Sequence, residues 1–277
     1  MTTARQAYID TFDAVEAQRE RLNLGQPEGG TRWDSSAARF TADPRREPDA
    51  NLRAIMEYVR PEHVVLDVGG GGGRLCLPMA LRCREVVNVE PSRGMGEAFE
   101  ASAKAAGIKN ARWIEADWMA AVDVRGDVSL VANVTYFVRD VVPFIEKLVE
   151  ASEERVMVAI SVTPPPNQGT NVFELVNGEP QAPVPGYREL LPVLLEMGIV
   201  PDVRVLHEAR SSALGGVYPD REAALESVRN PRLDEAQVAR LKSLLEARFD
   251  TLFEAIPDGY RRRAAGDPRM LLNTWQT

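Results

Sequence analysis

The chain is poor in the side chains that hold soft metals. It has two cysteines and two histidines in 277 residues. Cys76 and Cys83 lie seven apart in a stretch that reads as one helix face, so they read as buried thiols, not a metal or redox site. His63 and His207 are distant from them in sequence, which leaves no clustered metal site and no metal in the expected site. Long apolar runs are missing too. None approaches the roughly 20 residues that cross a bilayer, which excludes a membrane partner. The N-terminal stretch MTTARQAYIDTFDAVEAQRERL mixes acids and bases at helical spacing and lacks a signal peptide's apolar centre, so the expected location is cytoplasmic. Net positive charge is absent as well. The formal charge is −8 with pI about 5.1, which argues against a partner bound through nucleic-acid phosphates. The local run Arg261, Arg262 and Arg263 reads as a solvated turn. Only four of the 33 basic residues are lysine, a bias of composition.

What is present fits a folded α/β protein. Hydrophobic content of 44% and charged content of 27% are ordinary for a globular chain, and the length suits one large domain or one domain with an appendage. From residue 63 short apolar runs alternate with helical patterns, as in a parallel sheet covered by helices. HVVLDV (63–68), EVVNVE (85–90), ARWIEAD (111–117), DVSLVAN (127–133) and ERVMVAIS (154–161) read as strands, with helices over 74–83, 91–107 and 140–152. Segment 163–186 holds six prolines and is expected to be an ordered loop or flap. Then follow a helix (187–198), a sixth strand (200–209), an amphipathic helix (234–256) and a last strand (269–275). Asp234 is the expected N-cap of that helix, and Val238, Leu241, Leu245, Leu252 and Ile256 form much of its apolar stripe.

The feature that needs explaining is VVLDVGGGGGRLCL, residues 64–77, because five consecutive glycines are costly to order. Ligands of open parallel sheets bind outside the carboxyl ends of the strands, and the turn after the first strand lies there. The dinucleotide pattern G-x-G-x-x-G fails in every register: from Gly69 the third position is Arg74, and from Gly70 it is Leu75. The pattern D-x-G-x-G-x-G is met in full by Asp67, Gly69, Gly71 and Gly73, with Gly70 and Gly72 as fillers. In this the chain resembles the class I S-adenosylmethionine-dependent methyltransferases, and residues 50–161 carry the resemblance.

The resemblance implies a doubly wound, mainly parallel seven-stranded sheet of Rossmann-like form, with helical N-terminal and lid additions. It implies S-adenosylmethionine as cofactor, its methionine part wrapped by the glycine turn. Glu90, ending strand two, would accept from both ribose hydroxyls, a task suited to an acceptor-only carboxylate. Asp117, ending strand three, would accept from the adenine amino group, with Trp118 against the ring, and Asn133 closes strand four toward cofactor and substrate. TRWDSSAARF (31–40) resembles the family's entry segment loosely, and Trp33 and Phe40 read rather better as plugs between the N-terminal helix and the sheet. Residues 1–60 are expected to cap the core (61–161), and residues 162–277 to complete the sheet and cover the substrate with segments 163–186 and 210–268.

The methyl acceptor is less legible. An activated methyl needs alignment and exclusion of water, with a base only where a proton must leave early. His63 precedes strand one on the wrong edge, while His207 and Tyr136 are weak candidates for a base. Asn133-Val134-Thr135-Tyr136 matches the outer residues of the Asn-Pro-Pro-Tyr motif of methyltransferases acting on planar amino groups, but both prolines are missing. Tyr136 and Phe137 read as an apolar substrate wall, or one of them packs under the following helix. The expected activity is methyl transfer to a small molecule. A protein acceptor, a non-catalytic cofactor-binding protein, an NAD-dependent oxidoreductase and a homodimer are the alternatives left open.

Overall fold

The computed structural model describes residues 2–24, 37, 40–206, 216–228 and 235–277. Trp33, His207 and Asp234 therefore lie outside the described residues. The centre is a seven-stranded sheet of order β3-β2-β1-β4-β5-β9-β6. Its strands are β1 (Val64–Val68), β2 (Glu85–Val89), β3 (Ala111–Ile114), β4 (Gly126–Ala132), β5 (Ser152–Ser161), β6 (Asp202–Leu206) and β9 (Met270–Gln276). The five strands β1 to β5 run parallel in four pairs, and β9 is antiparallel to both β5 and β6. The central strands are apolar on both faces because helices cover both. Leu66, Val87, Val131 and Ile145 belong to the core on one face, and Val65, Leu77, Phe99 and Met157 to the core on the other.

The covering helices are α3 (Cys76–Ala80), α4 (Arg93–Ala105), α5 (Val141–Ala151) and α7 (Tyr187–Glu196), with α2 (Ala50–Met56) before β1. The helix expected over 74–83 is short, so Cys83 lies beyond it, although both thiols are buried. Ahead of these, α1 (Ala4–Arg21) is capped by Thr3, whose hydroxyl accepts from Gln6 N at 3.1 Å. This helix crosses the carboxyl edge of the sheet. Its buried Tyr8 donates to the Thr135 carbonyl at 2.6 Å, its first turn meets Glu196, and Gln18 donates to the Pro180 carbonyl at 2.8 Å.

Three expectations need correction. Segment 163–186 is not simply a loop, since it carries a 3-10 turn and α6 (Thr170–Asn177). Its six prolines flank this helix without interrupting it, three of them opening the 3-10 turn that precedes it, and Gly178 closes it in the left-handed region at φ 74°. The long helix expected over 234–256 ends as α9 (Glu235–Ala247); α10 (Phe249–Leu252) and β7 (Phe253–Ile256) follow. β7 turns back onto β8 (Gly259–Arg262) because Ile256-Pro257-Asp258-Gly259-Tyr260 is a turn sequence, with proline presetting one backbone angle and glycine taking a positive one. Val238, counted in the apolar stripe, is 47% exposed. The arginine run is likewise no solvated turn: Arg261 pairs with Glu254 at 2.7 Å and Arg262 reaches Ser227 Oγ at 3.3 Å. With α8 (Arg221–Glu226), α6, α9 and α10, the hairpin encloses a small core of its own around Leu245, Phe249, Leu252 and Phe253.

Candidate cofactor site

The strands β1 to β4 end side by side and leave a cavity of about 390 Å³ outside their carboxyl ends. That is within the roughly 300–1,000 Å³ range of small-molecule sites. Its floor is the turn after β1. Gly69, Gly71 and Gly73 take φ of 70°, 54° and 81°, which side chains rarely adopt. The intervening glycines are not fillers. A Cβ on Gly70 would run into Asp67 Oδ2 and meet Asn88 Oδ1 at 2.7 Å; one on Gly72 would meet Thr41 Cγ2 at 2.7 Å and the Phe40 carbonyl at 3.0 Å. Alternating positions thus need glycine first for backbone angle and then for space. A Cβ on Gly71 would have only ordinary contacts, to Met95 Sδ at 3.6 Å and Phe40 Cβ at 3.9 Å, so this backbone is open to a ligand.

The acids sit in different surroundings. Glu90 is buried at the end of β2; its Oε2 accepts from Gly71 N at 3.0 Å and its Oε1 from Ser92 N at 2.8 Å. These bonds aim the carboxylate and tie the second strand end to the glycine floor. Asp67 is 1% exposed, and among the described residues its Oδ2 has no hydrogen-bond partner. Burial raises its pKa to about 7, with the nearby Glu90 charge pushing the same way and Cys76 opposing. Asp117 is exposed at the end of β3, where Oδ1 accepts from Met119 N at 2.8 Å and shapes the turn. Trp118 lines the cavity but is buried mainly against α5: its indole donates to the Phe144 carbonyl at 3.3 Å and lies edge-on to that ring at 6.5 Å.

At the end of β4, Asn133 takes φ of 60°, a conformation in which asparagine is enriched. The hydroxyl of buried Tyr136 accepts from Ser161 N at 2.8 Å and donates to Asn133 Oδ1 at 2.6 Å. The phenol has one proton to give, so this network orients the amide with its oxygen toward Tyr136 and its nitrogen free for the cavity. Burial pushes the Tyr136 pKa up to about 12. Phe137, by contrast, lines the cavity and is 40% exposed. Of the two aromatic residues, one packs and the other faces the site.

Of the eight expected cofactor residues, Asp67, Gly69, Gly71, Glu90, Asp117, Trp118 and Asn133 line the cavity, whereas Gly73 packs its turn against Leu77 and Phe99. Phe40 lines it too, instead of plugging the N-terminal helix. Met95, which follows Glu90-Pro91-Ser92 in the family's pattern, is in the lining as well, while sequence reasoning missed Arg74 and Met119 there and Asn88 behind it. Asn88 Nδ2 donates to the Gly71 carbonyl at 3.0 Å, and its position opposite Asp67 in the parallel register was its only signal. Among the described residues none from 163–186 or 216–268 contributes to the cavity.

A cradle of bare backbone thus lies beside carboxylates at successive strand ends of a Rossmann-like sheet. Residues 65–151 match the methyltransferase domain family. An uncharacterized protein of Haemophilus influenzae is 26% identical over 199 residues, 70% of this chain and 73% of its own. The fold is shared by the YcgJ protein of Bacillus subtilis (TM-score 0.54, 14% identity, 82% of this chain and 97% of that one). It is shared as well by an S-adenosylmethionine-dependent methyltransferase of Thiobacillus denitrificans bound to S-adenosylhomocysteine (TM-score 0.52, 15% identity, 87% and 96%). Residues 65–151 thus resemble a methyltransferase domain, and the sheet shares the fold of these structures.

Proposed function

We propose that the protein methylates a small-molecule acceptor, with Asp67, Gly69, Gly71, Gly73, Glu90, Asp117, Trp118 and Asn133 forming the cofactor site. The observation that carries this reading is the bounded cavity of about 390 Å³, whose rim carries exposed apolar side chains from two strand ends, Met119 after β3 and Phe137 after β4. Such a rim suits an apolar portion of an acceptor held beside the cofactor. In this reading residues 61–161 hold the cofactor and residues 1–60 cap it. Segments 163–186 and 210–268 bound the acceptor side from outside the cavity.

The residues fit the group. Glu90 lines the cavity with an acceptor-only carboxylate that would suit ribose hydroxyls, and Gly71 leaves open backbone. When bound, S-adenosylmethionine supplies a methyl group on a positively charged sulfur. The chain then has to orient the acceptor and keep water out. Asn133 argues against a planar amino acceptor. Such a group needs an oxygen to accept its protons, whereas the Asn133 oxygen is held by Tyr136 and the amide presents a donor. A carbonyl, carboxylate or hydroxyl oxygen matches that donor. Tyr136 is poorly suited to act as a base, its hydroxyl being engaged on both sides. A base role for His207 is tested by His207→Ala, and unchanged turnover removes it.

The test begins with calorimetric titration of S-adenosylmethionine, S-adenosylhomocysteine and NADH into the wild type and Glu90→Ala. Micromolar binding of both adenosyl ligands, lost on removing Glu90, supports the site. A screen of small oxygen and amine acceptors for S-adenosylhomocysteine release then tests the acceptor class. NADH binding alone, or release only with a protein acceptor, overturns the proposal.

A further inference from the structure

Arg74 follows the last glycine of the turn and is the one cation among the described residues that line the cavity. It is half-buried, and among the described residues its guanidinium has neither an ion-pair partner nor a hydrogen bond. Other arginines nearby are engaged. Arg53 meets Glu47 at 3.6 Å, and Arg46 donates to the Asp43 and Arg74 carbonyls at 3.1 and 2.9 Å. Asp49, whose charge Arg74 feels, forms no ion pair with it and instead caps α2 by accepting from Leu52 N at 2.8 Å. Burial lowers the Arg74 pKa from its ordinary value, Asp49 opposing and Arg46 adding to the lowering. A half-buried guanidinium without a carboxylate is costly, and it is stabilised when a ligand supplies one.

The Arg46 bond to the Arg74 carbonyl fixes this backbone beside the glycine floor. The apolar rim of Met119 and Phe137 comes from other strand ends. We propose that Arg74 recognises a carboxylate in this cavity, and that the carboxylate is the α-carboxylate at the methionine end of the cofactor. This rests on the cofactor reading of the site and adds a specificity residue to it. It predicts selection of the cofactor's amino-acid end by a charge-assisted bond, worth about tenfold or more in affinity. An acidic methyl acceptor would offer the same chemistry, and the test separates the two sources.

The experiment titrates the full chain with S-adenosylhomocysteine and with 5′-methylthioadenosine, which lacks the amino-acid end. It compares the wild type with Arg74→Gln and Arg74→Lys, with a thermal melt of each variant. The expected result is that the wild type binds both ligands. Arg74→Gln then loses about tenfold or more for S-adenosylhomocysteine, keeps 5′-methylthioadenosine within about twofold, and Arg74→Lys recovers part of the loss. Unchanged S-adenosylhomocysteine affinity in Arg74→Gln overturns the proposal and would turn attention to an acidic acceptor. Equal losses for both ligands overturn it in favour of a structural role for the turn. Should Arg74→Gln not fold, Arg74→Lys decides on the same difference between the two ligands. A wild type that binds neither ligand fails the cofactor-site reading first, and this inference with it.

Discussion

The turn after β1 and the C-terminal hairpin both bring glycine against a neighbour, but they use the closeness differently. At the turn, Gly70 and Gly72 give room to Asp67, Asn88 and the strap carrying Phe40 and Thr41, and the surface so formed faces a cavity. In the hairpin, Gly259 lets β8 approach the Tyr218 backbone, where Tyr218 and Tyr260 exchange hydrogen bonds at 2.8 Å. The space behind it is filled by Phe249 stacked on Phe253 at 4.9 Å and edge-on to Tyr260 at 5.0 Å. Among the described residues the turn keeps two buried oxygens without partners, Asp67 Oδ2 and Asn88 Oδ1, whereas the hairpin region is built on an apolar core with aromatic contacts and leaves Arg262 Nε unpartnered at its side. A packed core can be optimised for stability alone, whereas a binding cradle keeps groups that only a ligand completes.

This contrast can be broken by mutation. The largest effect is expected from Phe249→Ala, which opens a hole in the aromatic cluster and should cost about 3–5 kcal/mol in that region. Hydrogen exchange should rise over α8 to β8 while S-adenosylhomocysteine affinity stays within about threefold. A large loss of binding would show that the two regions are coupled.

Asp67 tests the cradle in the ligand-free protein. Its pKa is about 7 in the folded state against 3.8 ordinarily. Between those values the folded chain binds the extra proton, so stability should fall as pH rises from about 4 to about 7 and level off above. The Asp67→Asn variant removes this term. The difference between the two proteins in chemical denaturation should therefore change by on the order of 3–4 kcal/mol across that window. A difference independent of pH would mean that the carboxyl titrates normally.

Glu90→Ala should come next, with about a hundredfold weaker S-adenosylhomocysteine binding by calorimetry, as expected for loss of a charged acceptor. Binding within a few-fold of the wild type would remove Glu90 from the site. The smallest effect is expected from Tyr136→Phe. It strands Ser161 N–H and frees the Asn133 amide to turn, at about 1–2 kcal/mol in stability by denaturant titration. If Asn133 selects an oxygen, the variant should also relax discrimination between oxygen and amine acceptors in the release assay.

Asp67, Glu90 and Asp117 were legible because each closes a short apolar strand, and parallel strands that alternate with helices must end on one edge. Arg74 and Asn88 were not. Arg74 reads as an ordinary helix-start cation until the absence of a partner among the described residues is visible, and Asn88 as an ordinary strand residue until Gly71 is placed against it. The hairpin of β7 and β8 is signalled by Pro257-Asp258-Gly259, but the helical period of Leu241, Leu245, Leu252 and Ile256 carries the expected helix over the residues that form β7. Local apolar pattern and turn chemistry, which depend on near neighbours along the chain, thus determined the element order, the parallel sheet and the position of the glycine cradle. Only the tertiary structure decided that Tyr136 is locked while Phe137 faces the cavity, that Phe40 lines it, that Gly70 and Gly72 are needed for space, and that α6 and the hairpin build a separate core. Those outcomes turn mostly on contacts between residues tens of positions apart, which no local pattern encodes.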